Sequence, residues 1–529
     1  LTRSLRTLDL LAIGVGSTVG TGVFSITGQV ARTQAGPAVL LCWCIGGVGC
    51  LLSALSYMEL SAHLPAAGAA YAFAYHLLGE VFAVLGAALI TLEYGISASA
   101  VAAAWGNKFR IFLETVGASR LAAVSTFTLG PLTLSLPALL VLVIVTGMVY
   151  LGGDLGKRFA RGSSTLAVIL ILIMTIVACT DFKASHFQPF VPPEFGLGGL
   201  MAGSVTTFFG FIGFDEVCCM AGEAVQPQKT VPRALIGTVS IATLLPVIAS
   251  LALVGFSPYD AIDPSSGFAV AFREKGQLLH STAWIALSYF VQLGQLVVLF
   301  VVTYMCFLAQ PRVFYALARD GLLPKKFADL DAHGEPWFAT LMTGLLLTAC
   351  GALLPFDILV NAISGGVCVN FNLVNCSLLM LRGENHRGKL GVSLAAFNVF
   401  ALTTALLVRQ VLNSRHSFVL WLTIAAALAL IASFAAIWHF VRQAPVLTVS
   451  NQEAFYKVPL VPLLPCCAMI FNNVMISSLE GMDFLRLGSY FVIVVCPYMV
   501  LAYWRRGRSP RMPDNFGNRC ELISSGRGG

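Results

Sequence analysis

The chain has 529 residues, of which 57% are hydrophobic and only 11% charged, with 36 Phe and a formal net charge of +7. Soluble domains carry roughly a quarter charged residues, so this composition, with a mean hydropathy of +0.83, excludes a multidomain soluble protein and describes a polytopic membrane protein. The basic excess is no nucleic-acid footprint, because the basic residues sit between apolar runs.

A spanning helix needs roughly 20 mainly apolar residues. In chain order, about fourteen such runs occur: 10–31, 37–61, 80–106, 134–153, 163–180, 197–221, 234–256, 282–310, 337–354, 357–381, 391–412, 418–441, 458–478 and 484–504. The third and eighth are long enough to cross at a steep tilt. Thr2 to Asp9 lead straight into the first run, with no cleavable signal pattern. With the N-terminus in the cytoplasm, connections on that side hold 22 of the 32 Lys and Arg, and the other side holds 10. That bias places both termini inside and supports an even number of spans. The largest external connections are expected near 107–133, 181–196 and 257–281. The 14 Cys fall mostly inside apolar runs as small core residues, and the sequon Asn375-Cys376-Ser377 lies within a span.

The first run contains Gly14 to Phe24, GVGSTVGTGVF, with four Gly and no charge. Glycine frees the backbone and uncovers its peptide groups, which a membrane tolerates only where they line a cavity or are buried in protein. One reading is therefore a helix broken to offer N–H and C=O groups to a ligand. The other is packing, since Gly16, Gly20 and Gly22 let a second helix approach closely. A dinucleotide fingerprint is rejected, because that motif needs a preceding strand and a βαβ unit.

The sixth run carries a counterpart, Phe208-Phe209-Gly210-Phe211-Ile212-Gly213-Phe214-Asp215. Five spans separate the two interruptions, so the halves have opposite topology. Paired Gly-interrupted helices at corresponding positions point to an inverted-repeat transporter with its site at the midplane. Broken helix ends suit a zwitterion: N–H groups near Gly20, Thr21 and Gly22 for a carboxylate, and carbonyls of Thr18, Phe209, Gly210 and Ile212 for an ammonium group.

Glu93 lies near the middle of the third run. A carboxylate there is costly and normally faces a cavity or a partner; it could bind a cationic side chain, carry a proton, or bond to a neighbouring Tyr or Ser. Asp215 follows the Gly210–Gly213 break, where it could cap the second half-helix or act as a proton-linked gate. Glu216 is a weaker candidate. Glu59 and Glu223, near the ends of the second and sixth runs, read as solvated or interfacial. Phe209, Phe211 and Phe214 either line the pocket or simply pack. The eight His lie near span ends or in loops, which leaves an intramembrane enzyme without support.

These residues resemble the amino acid–polyamine–organocation transporters, specifically the cationic amino acid transporter branch, over nearly the whole chain. The likeness rests on GVGSTVGTGVF with Thr27-Gly28, Gly36-Pro37-Ala38, Ser56-Tyr57-Met58-Glu59-Leu60, Pro65 to Tyr71, Leu92-Glu93-Tyr94 and Gly213-Phe214-Asp215. Pro227-Gln228-Lys229 with Pro232, Pro311 to Pro324, and Phe455 to Pro465 continue it in order. The resemblance implies an all-α LeuT-type fold: a first five-helix repeat in 1–181, an inverted repeat in 197–383, four peripheral helices in 390–504 and a cytoplasmic tail in 505–529. It implies that the Thr21-Gly22 region receives the substrate carboxylate, that carbonyls at Thr18, Phe209, Gly210 and Ile212 receive the amino group, and that Asp215 holds a gating position.

Departures matter. Gly222-Glu223-Ala224 keeps one of the family's two consecutive Glu, and Gln226 replaces an Asn. No Lys lies between Ser163 and Thr180, where proton-coupled bacterial relatives carry one, which favours facilitated transport or exchange. Residues 107–133 lack the Cys that pairs some relatives with a heavy subunit, so no covalent partner is expected. The expected function is a secondary transporter of amino acids, cationic ones such as arginine, lysine or ornithine, at the plasma membrane. It has no cofactor and no nucleic-acid partner, with membrane lipid around it. The alternative is an amino-acid-binding membrane sensor without net transport.

Overall fold

A computed structural model of the protein describes residues 5–65, 68–129, 132–151, 154–331, 334–353, 356–413, 417–442 and 456–506. Most of the expected tail, 507–529, lies outside these, as do Ala66, Ala67 and Phe455 of the family motifs. Residues Leu1–Leu487 form one compact unit. The described part of the second, Gly488–Gly529, is helical throughout.

Every one of the fourteen apolar runs carries helix. Nine helical stretches among the described residues are long and apolar enough to cross a membrane, the first of which, Thr7–His63, holds both the first and second runs. Leu136–Leu151 and Trp337–Ala352 are apolar but shorter. The last two runs form Leu463–Ser477 and Gly481–Arg506.

Boundaries moved where turn chemistry outweighed hydropathy. The eighth span was expected to stop before Pro311, yet the helix runs Thr282–Arg319 through that proline. Proline forfeits one helix hydrogen bond, and Arg312 Nη1 donates to the Leu308 carbonyl at 2.8 Å, supplying a side-chain donor beside the gap. The fifth helix, Asp154–Ala178, likewise starts before its apolar run and takes in Lys157 and Arg158. The expected external connection from 107 is helical as far as Thr115. It is followed by Ser119–Val124 and a hairpin of Thr126–Leu129 with Leu132–Ser135.

The first span is packed against the fifth, seventh and eighth, while the second lies against the first half of the sixth and the tenth. Spans one and six therefore sit inside a ring of other helices. The eleventh and twelfth pack mainly on each other and leave residues such as Val399, Trp421 and Ile431 exposed, an apolar face suited to lipid tails.

Candidate functional site

The first span is not opened at its glycines. It is α-helical over Thr7–Thr21, continues as a π-helical turn over Gly22–Ile26, and resumes at Thr27–Val30. The Gly22 N–H donates to the Val19 carbonyl, and Gly22 O accepts from the Thr27 N–H and, at 3.1 Å, from Thr27 Oγ1. The expectation of free amides around Gly22 therefore differs from the closed backbone seen here. Each glycine also faces a neighbour. A Cβ would meet Thr238 at Gly14, Ser164 and Met305 at Gly16, and Val298 and Val302 at Gly20, while at Gly22 it would lie 2.7 Å from the Trp43 ring. The packing reading accounts for these four Cα positions.

The sixth span does break. Gly196–Phe208 ends in a single tight turn, Phe209–Phe211, then Ile212 becomes extended (ψ 132°) and Gly213 adopts φ +103°. A short helix, Glu216–Cys219, follows. Among the described residues no donor reaches the carbonyls of Gly210 or Ile212, whereas Phe209 O accepts from the Ile212 N–H at 3.3 Å. The sixth-span break touches the π-helical turn of the first span: a Cβ on Gly210 would lie 3.0 Å from Gly22 Cα, and the Trp43 indole covers both. Trp43 is fully buried beside Phe211, ring centroids 5.6 Å apart.

Around the sixth-span break lies a buried polar network. Glu93 sits in a π-helical turn, Thr91–Ile96, that interrupts the third span; such turns widen a helix and recur at functional sites. Asn370 of the tenth span donates to Glu93 Oε2 at 2.8 Å and to Tyr57 Oη at 3.3 Å. Tyr57 and Tyr94 donate to Asp215 Oδ2 at 3.3 and 2.7 Å. All five residues are fully buried, while Glu93 Oε1 and Asp215 Oδ1 have no partner. No ion pair joins either carboxylate to a basic residue among the described residues. Two carboxylates enclosed this way are stable only with a positive group or a proton between them.

Several expectations change here. Asp215 does not cap the half-helix; its carboxylate is drawn instead to the tyrosines, which give it stronger O–H donors than the four-residue helix could. Of the two readings of Glu59 and Glu223, solvated or interfacial, burial sets aside the first. Glu59 pairs with Arg382 at 2.7 Å and accepts from the Val458 N–H at 2.6 Å. Glu223 pairs with Arg312 at 2.8 Å, with Glu335 3.6 Å away on the same guanidinium. Leu5 forms a short parallel bridge with Ala224 beside that cluster, so the end of the first span is tied to the end of the sixth. At the far end, Lys108 is buried where the sequence suggested a loop. Its Nζ donates to the Phe24 carbonyl at 2.9 Å and to the Ser265 carbonyl. The start of the first span is thus tied to the end of the sixth, and its far side to the third span and the segment at Ser265. Phe209, Phe211 and Phe214 are buried, and Phe214 packs on Tyr57 and Phe371.

The residues missed in the sequence are Asn370, Trp43 and Lys108. Asn370 is one of three Asn in the run Asn370–Asn375, with nothing local to single it out, and Trp43 belongs to no motif. Tyr57 and Tyr94 were legible only as parts of motifs.

Comparison with known proteins gives the family and the fold. Residues 5–465 match the model of the amino acid permease family, and 456–506 match the C-terminus of the same permeases. The chain is 32% identical over 395 residues to the branched-chain amino acid permease BcaP of Bacillus subtilis (72% of this chain, 81% of that protein). It is 30% identical over 388 residues to that organism's methylthioribose transporter (73% and 82%). It is 36% identical over 399 residues to the mitochondrial cationic amino acid transporter 3 of Arabidopsis thaliana (72% and 63%). The structure resembles MhsT in complex with L-phenylalanine, with a TM-score of 0.52 at 15% identity, covering 83% of this chain and all of MhsT. That likeness shows a LeuT-type fold. The chain belongs to the amino acid permease family, in the cationic amino acid transporter branch of the amino acid–polyamine–organocation superfamily, whose members are transporters and not enzymes.

Proposed function

We propose that the chain moves cationic α-amino acids across a membrane by alternating access around its first and sixth spans. The observation that carries this is the pair Glu93 and Asp215, enclosed, without a basic partner among the described residues, and each with one oxygen lacking a hydrogen-bond partner. A guanidinium or ammonium side chain supplies the missing positive charge. The substrate's α-amino group is assigned to the carbonyls of Phe209, Gly210 and Ile212, with Thr18 as a further acceptor. Its carboxylate is assigned to the amides of Gly20, Thr21 and Gly22 once the π-helical turn opens. The halves 1–181 and 197–383 act as the two inverted repeats that rock against each other. Both chain ends face the cytoplasm at the plasma membrane, in keeping with the 22-to-10 bias of basic residues.

The test is labelled arginine uptake into proteoliposomes of one orientation, competed with lysine, ornithine, leucine, phenylalanine and methylthioribose. Lysine and ornithine are expected to compete. Glu93→Gln and Asp215→Asn are each expected to lower uptake at least ~10-fold, equivalent to about 1.4 kcal/mol. Competition by the neutral compounds alone would overturn the cationic reading and leave transport standing. Ligand-induced stabilisation without any uptake would make the protein a sensor.

A further inference from the structure

Asp215 and Glu216 are consecutive, and the turn at Gly213 sends their side chains to different neighbours. Asp215 meets the tyrosines of the second and third spans. Glu216 lies between Ser17 of the first span and Cys306 of the eighth. It is fully buried, and neither of its oxygens has a hydrogen-bond partner. The Ser17 hydroxyl is committed elsewhere, to the carbonyls of Ile13 and Gly14 at 3.0 Å each and of Gly213 at 3.1 Å. The Cys306 thiol is a weak donor.

Among the described residues no base stands beside this carboxyl. The titratable groups around it are Asp215, Glu93, Cys219 and Cys306, with Tyr57 of the second span on the far side of Asp215. The seventh span, packed on the same short helix, carries only Lys229 and Arg233, both exposed near its start. The nearest basic residue in sequence on the eighth span, Arg312, is spent on Glu223. The short helix Ala69–Leu77 contributes Tyr71, which is bonded to Asp320.

A bare carboxylate in such an enclosure is costly, so a cation shares the position. A metal cation asks for several hard oxygen ligands. Here the neighbours of the carboxylate are a single hydroxyl, Ser17, whose proton goes to nearby carbonyls, and a soft thiol, too few hard oxygens for a metal. A proton asks only for the carboxylate itself.

We propose that Glu216 is a proton site coupled to substrate movement. The carboxylate takes a proton from water on one side, forming a neutral acid, and returns it to water on the other side as a carboxylate. The neutral form is compatible with the closed packing of Ser17, Gly213 and Cys306. The charged form favours separation of the first span from the sixth, which lets water reach it. Each protonation state thus biases one arrangement of the two broken spans. This rests on the transport reading and adds the driving ion to it. It also departs from the facilitated transport or exchange expected from the missing Lys in the fifth span.

Proteoliposomes separate the two. With an inward proton gradient and no arginine gradient, wild-type protein should accumulate labelled arginine, a protonophore should collapse the accumulation, and a pH dye inside the vesicles should report acidification when arginine is added. Glu216→Gln should cut accumulation at least ~10-fold and silence the dye, while counterflow in arginine-preloaded vesicles changes less than ~2-fold, because exchange needs no net proton movement. Glu216→Asp, which keeps a carboxylate, should restore gradient-driven accumulation. Glu216→Gln accumulating like wild type, or a sodium gradient driving wild-type uptake in place of protons, would overturn the proposal. Loss of counterflow in Glu216→Gln with no rescue by Asp would also overturn it, by making the residue structural. Wild-type protein that neither accumulates nor exchanges arginine would remove the transport reading itself.

Discussion

The first and sixth spans carry the same sequence signal and end up with different backbones. Both have glycines at close spacing in an apolar run, yet Gly14–Phe24 stays wound while Phe209–Asp215 opens. The difference lies in the backbone that the glycines hold, since neighbours fill the space beside them in both stretches. In the first span each missing side chain is replaced by one from another helix, Thr238, Ser164, Val298, Val302 or Trp43. Ser17 and Thr18 also return their hydroxyls to carbonyls one turn back, Thr18 to Gly14 at 2.8 Å. In the sixth span the space beside Gly210 is filled by Trp43 and that beside Gly213 by Ser17, but Gly213 also takes a left-handed conformation, which ends the helix. Glycine density therefore signals either a helix pressed against its neighbours or a break. A residue that must hold positive φ separates the two.

Gly213→Ala is the strongest way to break this contrast. A side chain at φ +103° carries strain of about 1–3 kcal/mol, and a Cβ there would also overlap Ser17 Cβ at 2.5 Å, an overpacking worth a further ~1–3 kcal/mol. The variant is expected to lose most of its folded yield, and whatever survives should show the largest drop in Tm in detergent of any alanine placed in either stretch. A Tm equal to wild type would mean that the sixth-span turn is not fixed in this form.

Gly22→Ala should cost less, because its φ of −56° is ordinary and only Trp43 stands in the way. An overpacking penalty of about 1–3 kcal/mol is expected, and Trp43→Phe, by shortening the ring, should recover most of it in a double-mutant cycle. If the cycle shows no coupling while arginine uptake is abolished by Gly22→Ala alone, the first-span glycine serves the ligand and not the packing.

The legible and the hidden parts of the molecule follow from the same physics. Fourteen apolar runs could be counted because bilayer thickness demands about 20 residues each. Asp215 and Glu93 stood out because carboxylates are scarce in such runs. What completes the site was hidden, since the partners are neutral. Asn370 links Glu93 to Tyr57 across 277 and 313 residues of sequence, and nothing local distinguishes it from a packing amide. The π-helical turn at Thr91–Ile96 had no local marker either. Glu216 ranked low beside Asp215, because the turn that separates their directions depends on one glycine's φ. Lys108 was read as a loop residue because hydropathy falls before the helix ends at Thr115.

The smallest expected effect tests a side-chain tie between the wound stretch of the first span and the break of the sixth. Ser17 Oγ lies 3.1 Å from the Gly213 carbonyl, but it also reaches two carbonyls in its own helix. Ser17→Ala leaves the Ile13 and Gly14 carbonyls to their ordinary helical donors and takes the side-chain donor from Gly213 alone. The loss should be about 0.5–1.5 kcal/mol, read as a modest fall in Tm with the fold intact. The change should fall unevenly on the two spans. Hydrogen exchange should quicken at the amides following Gly213, including Glu216, whose N–H bonds to that same carbonyl at 3.2 Å, and stay unchanged over Thr7–Thr21. Equal quickening in both spans would show that the first span depends on the sixth for its winding, against the self-contained helix that its glycine contacts describe.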